Sequence, residues 1–271
     1  MNGKEIRLKK LFKNRKNLII SAIDHVMAYG YQPGIEDSGK VIEKCITTDA
    51  LILSSFMLSR HWDSFAGISS PAPVVRLNWS SSFYYPLNYR EGHTTITTTV
   101  EEAVKSGAEA VICSLFLENK SEEVDKENIK IFSEAVRQKE KLGIPLIGEC
   151  YVVEHKEKKI EEVHEKIKRI SRIMAELGAD LIKAFYSGSR FYEVVQNVPV
   201  PVFTIGAEKL NSDLDILKKA HDSTMHGAKG IIFGRNIFMA KNPEKLIKAL
   251  NDVVNNNIIP EEAVKIYGLK D

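Results

Sequence analysis

Cysteine is scarce in this sequence, and the few thiols present form no recognisable pattern. The three cysteines among 271 residues, Cys45, Cys113 and Cys150, are widely separated along the chain. Such spacing supports neither a disulfide framework nor a CxxC metal site, so we expect them in the core. Clusters of His, Asp and Glu with the spacing of a catalytic metal site are also lacking. The sequence therefore predicts a protein that works without a metal or another cofactor.

An excess of charge of one sign is lacking too. The 38 basic and 36 acidic residues give a formal net charge of +2, too balanced to indicate a nucleic acid or a membrane surface as partner. The apolar run that ends at Asp24 is too short to span a membrane and has no signal-peptide cleavage site. We therefore expect a cytoplasmic protein that binds neither nucleic acid nor membranes.

The chain also lacks a Gly/Ser-rich or low-complexity linker, which predicts a single domain over residues 1–271. Eight short apolar runs alternate with amphipathic stretches, and most are continuous, as in parallel strands covered on both faces. The runs are 18–24, 50–56, 73–78, 110–116, 145–151, 181–186, 201–206 and 230–235. Glycine ends the helical pattern before three of them. The pattern favours a (β/α)8 barrel over an open, doubly wound sheet.

Three helical segments are predicted from charge and apolar spacing. The N-terminal segment, about 4–14, is basic, and the charged segment 152–170 has the Ile and Val spacing of an amphipathic helix. A helical tail is expected over about 243–271.

Polar side chains at the C-terminal ends of barrel strands are candidates for catalysis, because the active site lies at that end. Lys183 lies inside an apolar run, where burial disfavours its cation and the neutral amine can attack a carbonyl to form a Schiff base. Tyr151 and Asp24 end two other runs, and they could move a proton and hold an amine or hydroxyl. Structural interpretations stay open: a snorkelling lysine, a core tyrosine and an aspartate that caps a turn.

Glycines at the ends of the last two runs indicate an anion site. Backbone amides at Gly206 and Gly234 can approach a ligand closely, and Arg235 adds a charged fork beside them. The loops after strands seven and eight of such barrels often bind phosphate. Nearby Lys209 could add a point charge. The alternatives are glycines that relieve crowding, an arginine in a surface ion pair and a solvated lysine at 209. The combination favours phosphate.

A resemblance to the class I (Schiff-base) aldolase family is carried by three segments, in this order and spacing: AIDHVMAYG, GADLIKAFYSG and GIIFGRNIFM. That family contains archaeal-type fructose-bisphosphate aldolases, 2-amino-3,7-dideoxy-D-threo-hept-6-ulosonate synthase and phospho-autoinducer-2 thiolase. The resemblance covers nearly the whole chain. It implies a (β/α)8 barrel, usually in a homo-oligomer, with a Schiff-base lysine at Lys183, an acid/base tyrosine at Tyr151 and an aspartate at Asp24. It also implies phosphate binding by Gly206, Ala207, Gly234 and Arg235.

Departures from the family pattern lie at the rim of the expected pocket. Val26 replaces a glycine after the Asp-His pair, and Val152-Val153-Glu154 replaces Pro-Arg-Gly after the tyrosine. His25 could relay protons, but we expect it to orient Asp24 by a hydrogen bond.

The segment 76–93 is also unusually aromatic and rich in hydroxyls. Its polar side chains could bind substrate hydroxyls or a second phosphate; the candidates are Asn78, Ser80 and Ser81. An ordered loop with Trp79 and Tyr84 packed on the barrel is the alternative.

The resulting hypothesis is a metal-independent aldolase in which Lys183 forms an iminium with a phosphorylated ketose and an adjacent C–C bond is cleaved or formed. The small-molecule substrate expected is a phosphorylated ketose or aldehyde. Tyr151 moves the proton at the cleaved hydroxyl, and Asp24 positions the amine. A transaldolase, synthase or thiolase of the same family with a non-glycolytic substrate is the nearest alternative. A sugar-phosphate isomerase or epimerase without a covalent intermediate, or a catalytically silent barrel that binds a sugar phosphate, also stays open.

Overall fold

Eight parallel strands close into a barrel in this computed structural model, which describes residues 2–13, 15–153 and 157–271. The strands are β1 (Leu18–Ala22), β2 (Ala50–Leu53), β3 (Ala72–Arg76), β4 (Ala110–Leu115), β5 (Leu146–Cys150), β6 (Leu181–Phe185), β7 (Val202–Ile205) and β8 (Gly230–Phe233). Strand β1 pairs with both β2 and β8, which closes the barrel. Each predicted run overlaps one strand, so the prediction of a (β/α)8 barrel is confirmed.

Helices connect the strands and cover the barrel. Within the described residues they are α1 (Gly3–Phe12), α2 (His25–Tyr29), α3 (Ser38–Cys45), α4 (Ser55–Arg60), α5 (Val100–Lys105), α6 (Glu122–Leu142), α7 (Ile160–Leu177), α8 (Phe191–Asn197), α9 (Asp213–Met225), α10 (Arg235–Phe238), α11 (Pro243–Asn255) and α12 (Pro260–Tyr267). No helix in this part of the chain is both long and apolar enough to cross a bilayer.

Two helix boundaries differ from the sequence pattern. The helix predicted over 152–170 begins only at Ile160, because Val152 and Val153 are buried as the chain leaves β5 and Lys159 has an extended backbone. Glu154, which replaces the glycine of the family pattern, lies with residues 155 and 156 outside the described residues. The N-terminal helix ends at Phe12, and residue 14 is likewise outside them.

Alternate residues of the strands point into the barrel, as the period of two requires. Near the N-terminal ends of the strands, this interior is a buried apolar cluster that includes Leu18, Leu181 and Phe203. Helix α1 lies across that end of the barrel, where Leu11 is buried and the Phe12 and Phe203 ring centroids are 6.3 Å apart. The apolar layer and α1 together close this end, which leaves the C-terminal end for a site.

An insertion after β3 folds over the C-terminal end of the barrel. Its strands Asn78–Ser80 and Thr94–Ile96 pair antiparallel, and a 3-10 segment, Ser81–Leu87, lies between them. The Trp79 and Tyr84 ring centroids are 5.8 Å apart. This segment is therefore an ordered loop packed on the barrel.

Candidate active site

A cavity of about 390 Å³ opens at the C-terminal end of the barrel. Eight of the residues singled out from the sequence line it: Asp24, His25, Tyr151, Lys183, Gly206, Ala207, Gly234 and Arg235. Polar and aromatic residues that sequence reasoning missed also line it: Tyr29, Arg76, Phe83 and Glu149. The structure thus brings the candidate lysine, tyrosine, aspartate and glycine turns to one cavity.

Lys183 lies on β6 and points into the barrel, with only 5% of its surface exposed. It is the register partner of Glu149 on β5, so the two side chains lie on the same side of neighbouring strands. The Lys183 Nζ and Glu149 Oε1 atoms are 2.5 Å apart. A buried ammonium needs such a partner, because its desolvation is costly when it is unpaired.

The other carboxylate oxygen of Glu149, Oε2, lies next to two donors. Arg76 Nη2 lies 2.8 Å from Glu149 Oε2, and the Ser114 hydroxyl donates to the same oxygen. Burial alone would raise the pKa of Glu149, but the positive charges of Arg76 and Lys183 outweigh burial and lower it. Glu149 is therefore ionised in the resting site.

Asp24 completes a row of alternating charges in the barrel. Its carboxylate accepts a hydrogen bond from Arg76 Nε, so the order across the interior is Asp24, Arg76, Glu149, Lys183. Asp24 stands at the start of α2, yet its side chain makes no capping hydrogen bond there. Burial would raise the pKa of Asp24, but Arg76 and Lys183 lower it overall. The carboxylate in contact with Lys183 is thus Glu149, and Asp24 contacts Arg76 instead.

His25 does not make the expected hydrogen bond to Asp24. Its Nδ1 lies 3.9 Å from Asp24 Oδ1, beyond hydrogen-bond distance, and Arg76 donates to the other oxygen of that carboxylate. This buried nitrogen has no hydrogen-bond partner among the described residues. Burial lowers the pKa of His25 to about 4, so the ring is neutral at neutral pH. A neutral ring with one nitrogen unsatisfied can bind a polar group of a ligand.

Tyr151 follows β5 and stands in an aromatic wall. Its ring centroid lies 5.3 Å from that of Phe116, 5.4 Å from that of Phe185 and 6.0 Å from that of Phe83. Tyr29 is its neighbour in the lining of the cavity. Burial, followed by the neighbouring Tyr29, raises the pKa of Tyr151 well above its usual value. Tyr151 is therefore a neutral proton donor at the edge of the cavity.

The turns after β7 and β8 stand side by side, as expected of an anion site. Arg235 Nη2 donates to the Ala207 carbonyl at 2.9 Å, and its buried Nε has no hydrogen-bond partner in the part of the chain that the structure describes. Ala207 itself has a φ of 57°, in the left-handed region that favours glycine. The Gly206 amide, expected to face an anion, instead donates to the Ile232 carbonyl at 3.2 Å. The Gly206 amide is therefore not available to a ligand, whereas the Arg235 side chain lines the cavity.

The amide of Asn236 fixes the shape of the β7 turn. It is fully buried and donates to the carbonyls of Gly206 at 3.2 Å and Glu208 at 3.0 Å, while its oxygen accepts from the Leu210 amide. Lys219 also donates to the Gly206 carbonyl, at 3.0 Å. Lys209 does not line the cavity. Carbonyls that are tied back in this way do not repel an anion at the turn.

The candidate polar residues of the insertion make hydrogen bonds within the protein and do not line the cavity. Asn78 donates to the Ser114 carbonyl at 2.8 Å and accepts from the Ser114 amide at 2.9 Å. Ser80 accepts a hydrogen bond from the Ser82 amide, and the Ser81 amide donates to His93. All three candidates are absent from the cavity lining. The insertion contributes Phe83 instead, whose ring centroid lies 5.8 Å from the Arg76 guanidinium carbon.

Comparisons with known proteins agree with this geometry. The sequence model described as DeoC/LacD family aldolase matches residues 18–240, which span all eight barrel strands. An uncharacterized aldolase of Saccharolobus solfataricus is 32% identical over 98% of this chain and 99% of its own length. The 2-amino-3,7-dideoxy-D-threo-hept-6-ulosonate synthase 1 of Archaeoglobus fulgidus is 31% identical over 99% of this chain and 97% of its own.

A solved structure of a Schiff base forming fructose-1,6-bisphosphate aldolase superposes with a TM-score of 0.78. It is 25% identical in sequence, and the match covers 93% of this chain and 100% of that chain.

Proposed function

The chain belongs to the DeoC/LacD aldolase family, as the three sequence segments indicated, and from this premise we propose that it forms a Schiff base between Lys183 and a phosphorylated ketose. It then cleaves or forms the C–C bond between the carbons α and β to the carbonyl. The observation that carries the proposal is the buried Lys183 amine, which lines the cavity beside an ionised carboxylate. The Schiff base forming aldolase of the same fold supports it.

The reaction uses the iminium as an electron sink. The Lys183 amine attacks the ketone carbon, water leaves, and the iminium accepts the electron pair of the bond between its α and β carbons when that bond breaks, which gives an enamine and an aldehyde. In the direction of bond formation, the resulting enamine attacks an aldehyde. The neutral Tyr151 hydroxyl donates its proton to the oxygen of that aldehyde.

A phosphate group on the substrate is supported by Arg235. Its guanidinium stands at the start of α10, lines the cavity and has an unsatisfied buried Nε. A guanidinium binds a phosphate through two parallel hydrogen bonds, which suits this donor. Arg76 cannot take this role, because Asp24 and Glu149 already hold it.

A synthase or transaldolase of the same family is the second candidate. It is favoured by the 31% identity to the ulosonate synthase over nearly the full length of both chains. Both candidates share the Lys183 iminium and differ in the carbonyl compound that the enamine attacks. Product analysis with fructose 1,6-bisphosphate distinguishes them, because only the glycolytic aldolase releases two triose phosphates from it.

We also propose that the protein assembles as a homo-oligomer in the cytoplasm. Large apolar side chains stand exposed on α4 and the segment after it: Phe56, Trp62 and Ile68. Such side chains are typical of surfaces that bind another protein. The three buried free thiols suit a reducing compartment. Light scattering after size-exclusion chromatography would test the assembly, and a monomer at all concentrations would contradict it.

Covalent trapping tests the proposed function directly. Incubation with dihydroxyacetone phosphate and borohydride should add the reduced adduct to the peptide spanning residues 178–190, as measured by intact mass and peptide mapping. Lys139 is an internal control, because it is fully buried but paired with Asp180 outside the cavity. An adduct on another lysine, or none with any ketose phosphate, would overturn the assignment.

A further inference from the structure

Lys183 lies between two unlike parts of the candidate active site. Its strand β6 has β5 on one side and β7 on the other in the barrel. Arg235 and the turns after β7 and β8 stand on the β7 side, whereas Tyr151 follows β5 on the other side. In the proposed function, a ketose held by Lys183 through its carbonyl carbon therefore extends in two directions, with its phosphate toward Arg235 and the rest of its carbon chain toward Tyr151.

The side of the cavity beside Tyr151 is built from aromatic rings. Phe83 and Phe185 line the cavity, and their ring centroids lie 6.0 Å and 5.4 Å from that of Tyr151. Tyr29 lines it as well, with its centroid 5.9 Å from that of Phe83. Val153 adds a buried aliphatic side chain to the same lining. Rings that meet edge to face in this way form an apolar surface of fixed shape, and we call these five residues the aromatic subsite.

The aromatic subsite offers no cation for a second phosphate among the described residues. The lysine and arginine residues that line the cavity in that part of the chain are Arg76, Lys183 and Arg235. Arg76 is already paired with two carboxylates, Lys183 takes the carbonyl carbon, and Arg235 stands on the other side. The three polar residues of the insertion that the sequence suggested for a second phosphate do not line the cavity. An anion placed against the rings would lose its hydration and face their negative π surfaces.

We propose that the aromatic subsite binds the aldehyde partner of the reaction and that this aldehyde is uncharged and apolar, with an aromatic ring or an alkyl chain. The inference rests on the proposed function and names its substrate class, a ketose with a single phosphate and an apolar substituent on the carbon β to its carbonyl. Tyr151 sets the direction, because the oxygen that it protonates belongs to the aldehyde carbon. The substituent of that carbon therefore lies against the rings that pack around Tyr151.

The atoms and charges of the reaction balance with this aldehyde. Water takes a proton from the α carbon of the iminium, which gives the enamine. The electron pair of the enamine then forms the bond to the aldehyde carbon, and the aldehyde oxygen takes the Tyr151 proton to become the β-hydroxyl. A proton from water restores the Tyr151 hydroxyl, and a water molecule hydrolyses the iminium, which frees Lys183 and the ketose.

Two aldehydes of similar size test the aromatic subsite with dihydroxyacetone phosphate as the donor. Phenylacetaldehyde presents a ring to the subsite, whereas glyceraldehyde 3-phosphate presents a hydroxyl and a phosphate. We expect kcat/KM to be about tenfold or more higher for phenylacetaldehyde, because the phosphate gives up its hydration without gaining a cation. Mass spectrometry of the two ketose phosphate products measures both rates. A preference for glyceraldehyde 3-phosphate would overturn the inference.

Phe83→Leu removes one ring of the aromatic subsite and keeps an apolar side chain. The ratio of kcat/KM for phenylacetaldehyde to that for glyceraldehyde 3-phosphate should fall by about two- to tenfold, the contribution of one contact between rings. General damage to the site would lower both rates and leave the ratio unchanged. Trp79→Phe is the matched control, because Trp79 belongs to the same insertion, packs beside Tyr84 and does not line the cavity. It should keep the wild-type ratio, and an unchanged ratio in Phe83→Leu would contradict the inference.

Binding of an unreactive analogue separates the inference from the proposed function. 2-Phenylethanol cannot react with the enamine, so its binding, measured by saturation-transfer NMR, needs no Schiff base. It should bind wild type and Trp79→Phe equally, and Phe83→Leu more weakly. If it does so while no ketose phosphate can be trapped on Lys183, the proposed function fails and the apolar subsite stands. If Lys183 is trapped but 2-phenylethanol does not bind, the function stands and the inference is wrong.

Discussion

Arg76 donates from its Nε to the Asp24 carboxylate inside the barrel, which ties the end of β3 to the end of β1. Both side chains are buried. Because the Glu149 carboxylate also faces Arg76, the guanidinium bridges two anions. Asp24 therefore acts on the Lys183 region through Arg76 and Glu149 rather than by touching the amine.

The first prediction concerns Asp24→Asn, which removes the charge and keeps the shape. It should lower the free energy of unfolding at pH 7 by about 1–3 kcal/mol, because Arg76 loses one of its buried anionic partners. The pKa of Asp24 is lowered in the folded protein, whereas that of an unfolded aspartate is about 3.9. The stabilisation is thus present above about pH 4 and is lost as pH falls through the lowered folded value.

Urea unfolding of both proteins at several pH values would measure this effect. The difference between wild type and Asp24→Asn should narrow as pH falls below about 4. A constant difference across that range would mean that the charge of Asp24 contributes nothing to stability.

Tyr151→Phe gives the second prediction, because it removes only the hydroxyl. The aromatic wall of Phe83, Phe116 and Phe185 should hold the new ring in place, so the fold and borohydride trapping at Lys183 are preserved. Turnover should fall by about 10²–10⁴-fold, because the proton donor of the C–C step is missing. Single-turnover trapping measured beside steady-state turnover separates the two steps. Normal turnover would return Tyr151 to a purely structural role.

The strands and the candidate lysine could be predicted because buried parallel strands leave continuous apolar runs in which one charge stands out. Arg76 and Glu149 give the same signal as Lys183, each as a charge within such a run. Which charges meet depends on strand register, as for Glu149 and Lys183 on the neighbouring strands β5 and β6, and a single sequence does not encode register locally. Asn78 shows the opposite error, a candidate that does not line the cavity. A polar side chain after a strand can bind backbone groups as well as a ligand, and the sequence does not distinguish the two.

The third prediction concerns Gly234, which directly follows β8 and lies against the end of β1 and the residues after it. A Cβ at this position would lie 2.3 Å from His25 Cε1 and 2.6 Å from the Ala22 carbonyl oxygen. The backbone oxygen cannot yield cheaply, so Gly234→Ala should destabilise the protein by about 1–3 kcal/mol and displace the His25 ring. Gly39→Ala is the matched control, since its Cβ would meet no atom closer than 3.4 Å. Equal melting temperatures of the two variants would contradict the prediction.

His25 gives a fourth prediction, which concerns stability at mildly acid pH. Burial lowers the pKa of His25 from 6.5 to about 4, so below pH 6.5 the unfolded chain binds a proton that the folded protein does not. Stability should therefore fall between pH 6.5 and about 4, by about 3 kcal/mol at roughly 1.4 kcal/mol per pKa unit.

Denaturant unfolding at pH 7 and pH 4.5 measures this loss in wild type and in His25→Gln. The glutamine variant should lose less stability over that interval, because its unfolded chain has no histidine at position 25 to bind a proton. His93→Gln is the control, as His93 is exposed on the insertion. A loss that is the same in all three proteins would assign the acid sensitivity to other groups.

The fifth prediction concerns Arg235 and the phosphorylated substrate. Its guanidinium keeps one hydrogen bond, to the Ala207 carbonyl at 2.9 Å, and has a buried Nε without a partner. Hydrogen bonds to a charged group contribute about 1.5–3 kcal/mol each. Arg235→Ala should therefore lower kcat/KM for a phosphorylated ketose by about ten- to a hundred-fold.

The matched substrate supplies the control for Arg235→Ala. An unphosphorylated analogue never makes the guanidinium contact, so its kcat/KM should hardly change between wild type and variant. Measurement of both substrates on both proteins distinguishes phosphate recognition from damage to the β7 turn, which would slow the two substrates equally. Arg235→Lys sharpens the test, because it keeps the positive charge but loses the planar pair of donors. Partial recovery with lysine, confined to the phosphorylated substrate, would place the phosphate against the side chain of residue 235. Equal losses on both substrates would make Arg235 a structural residue that holds Ala207.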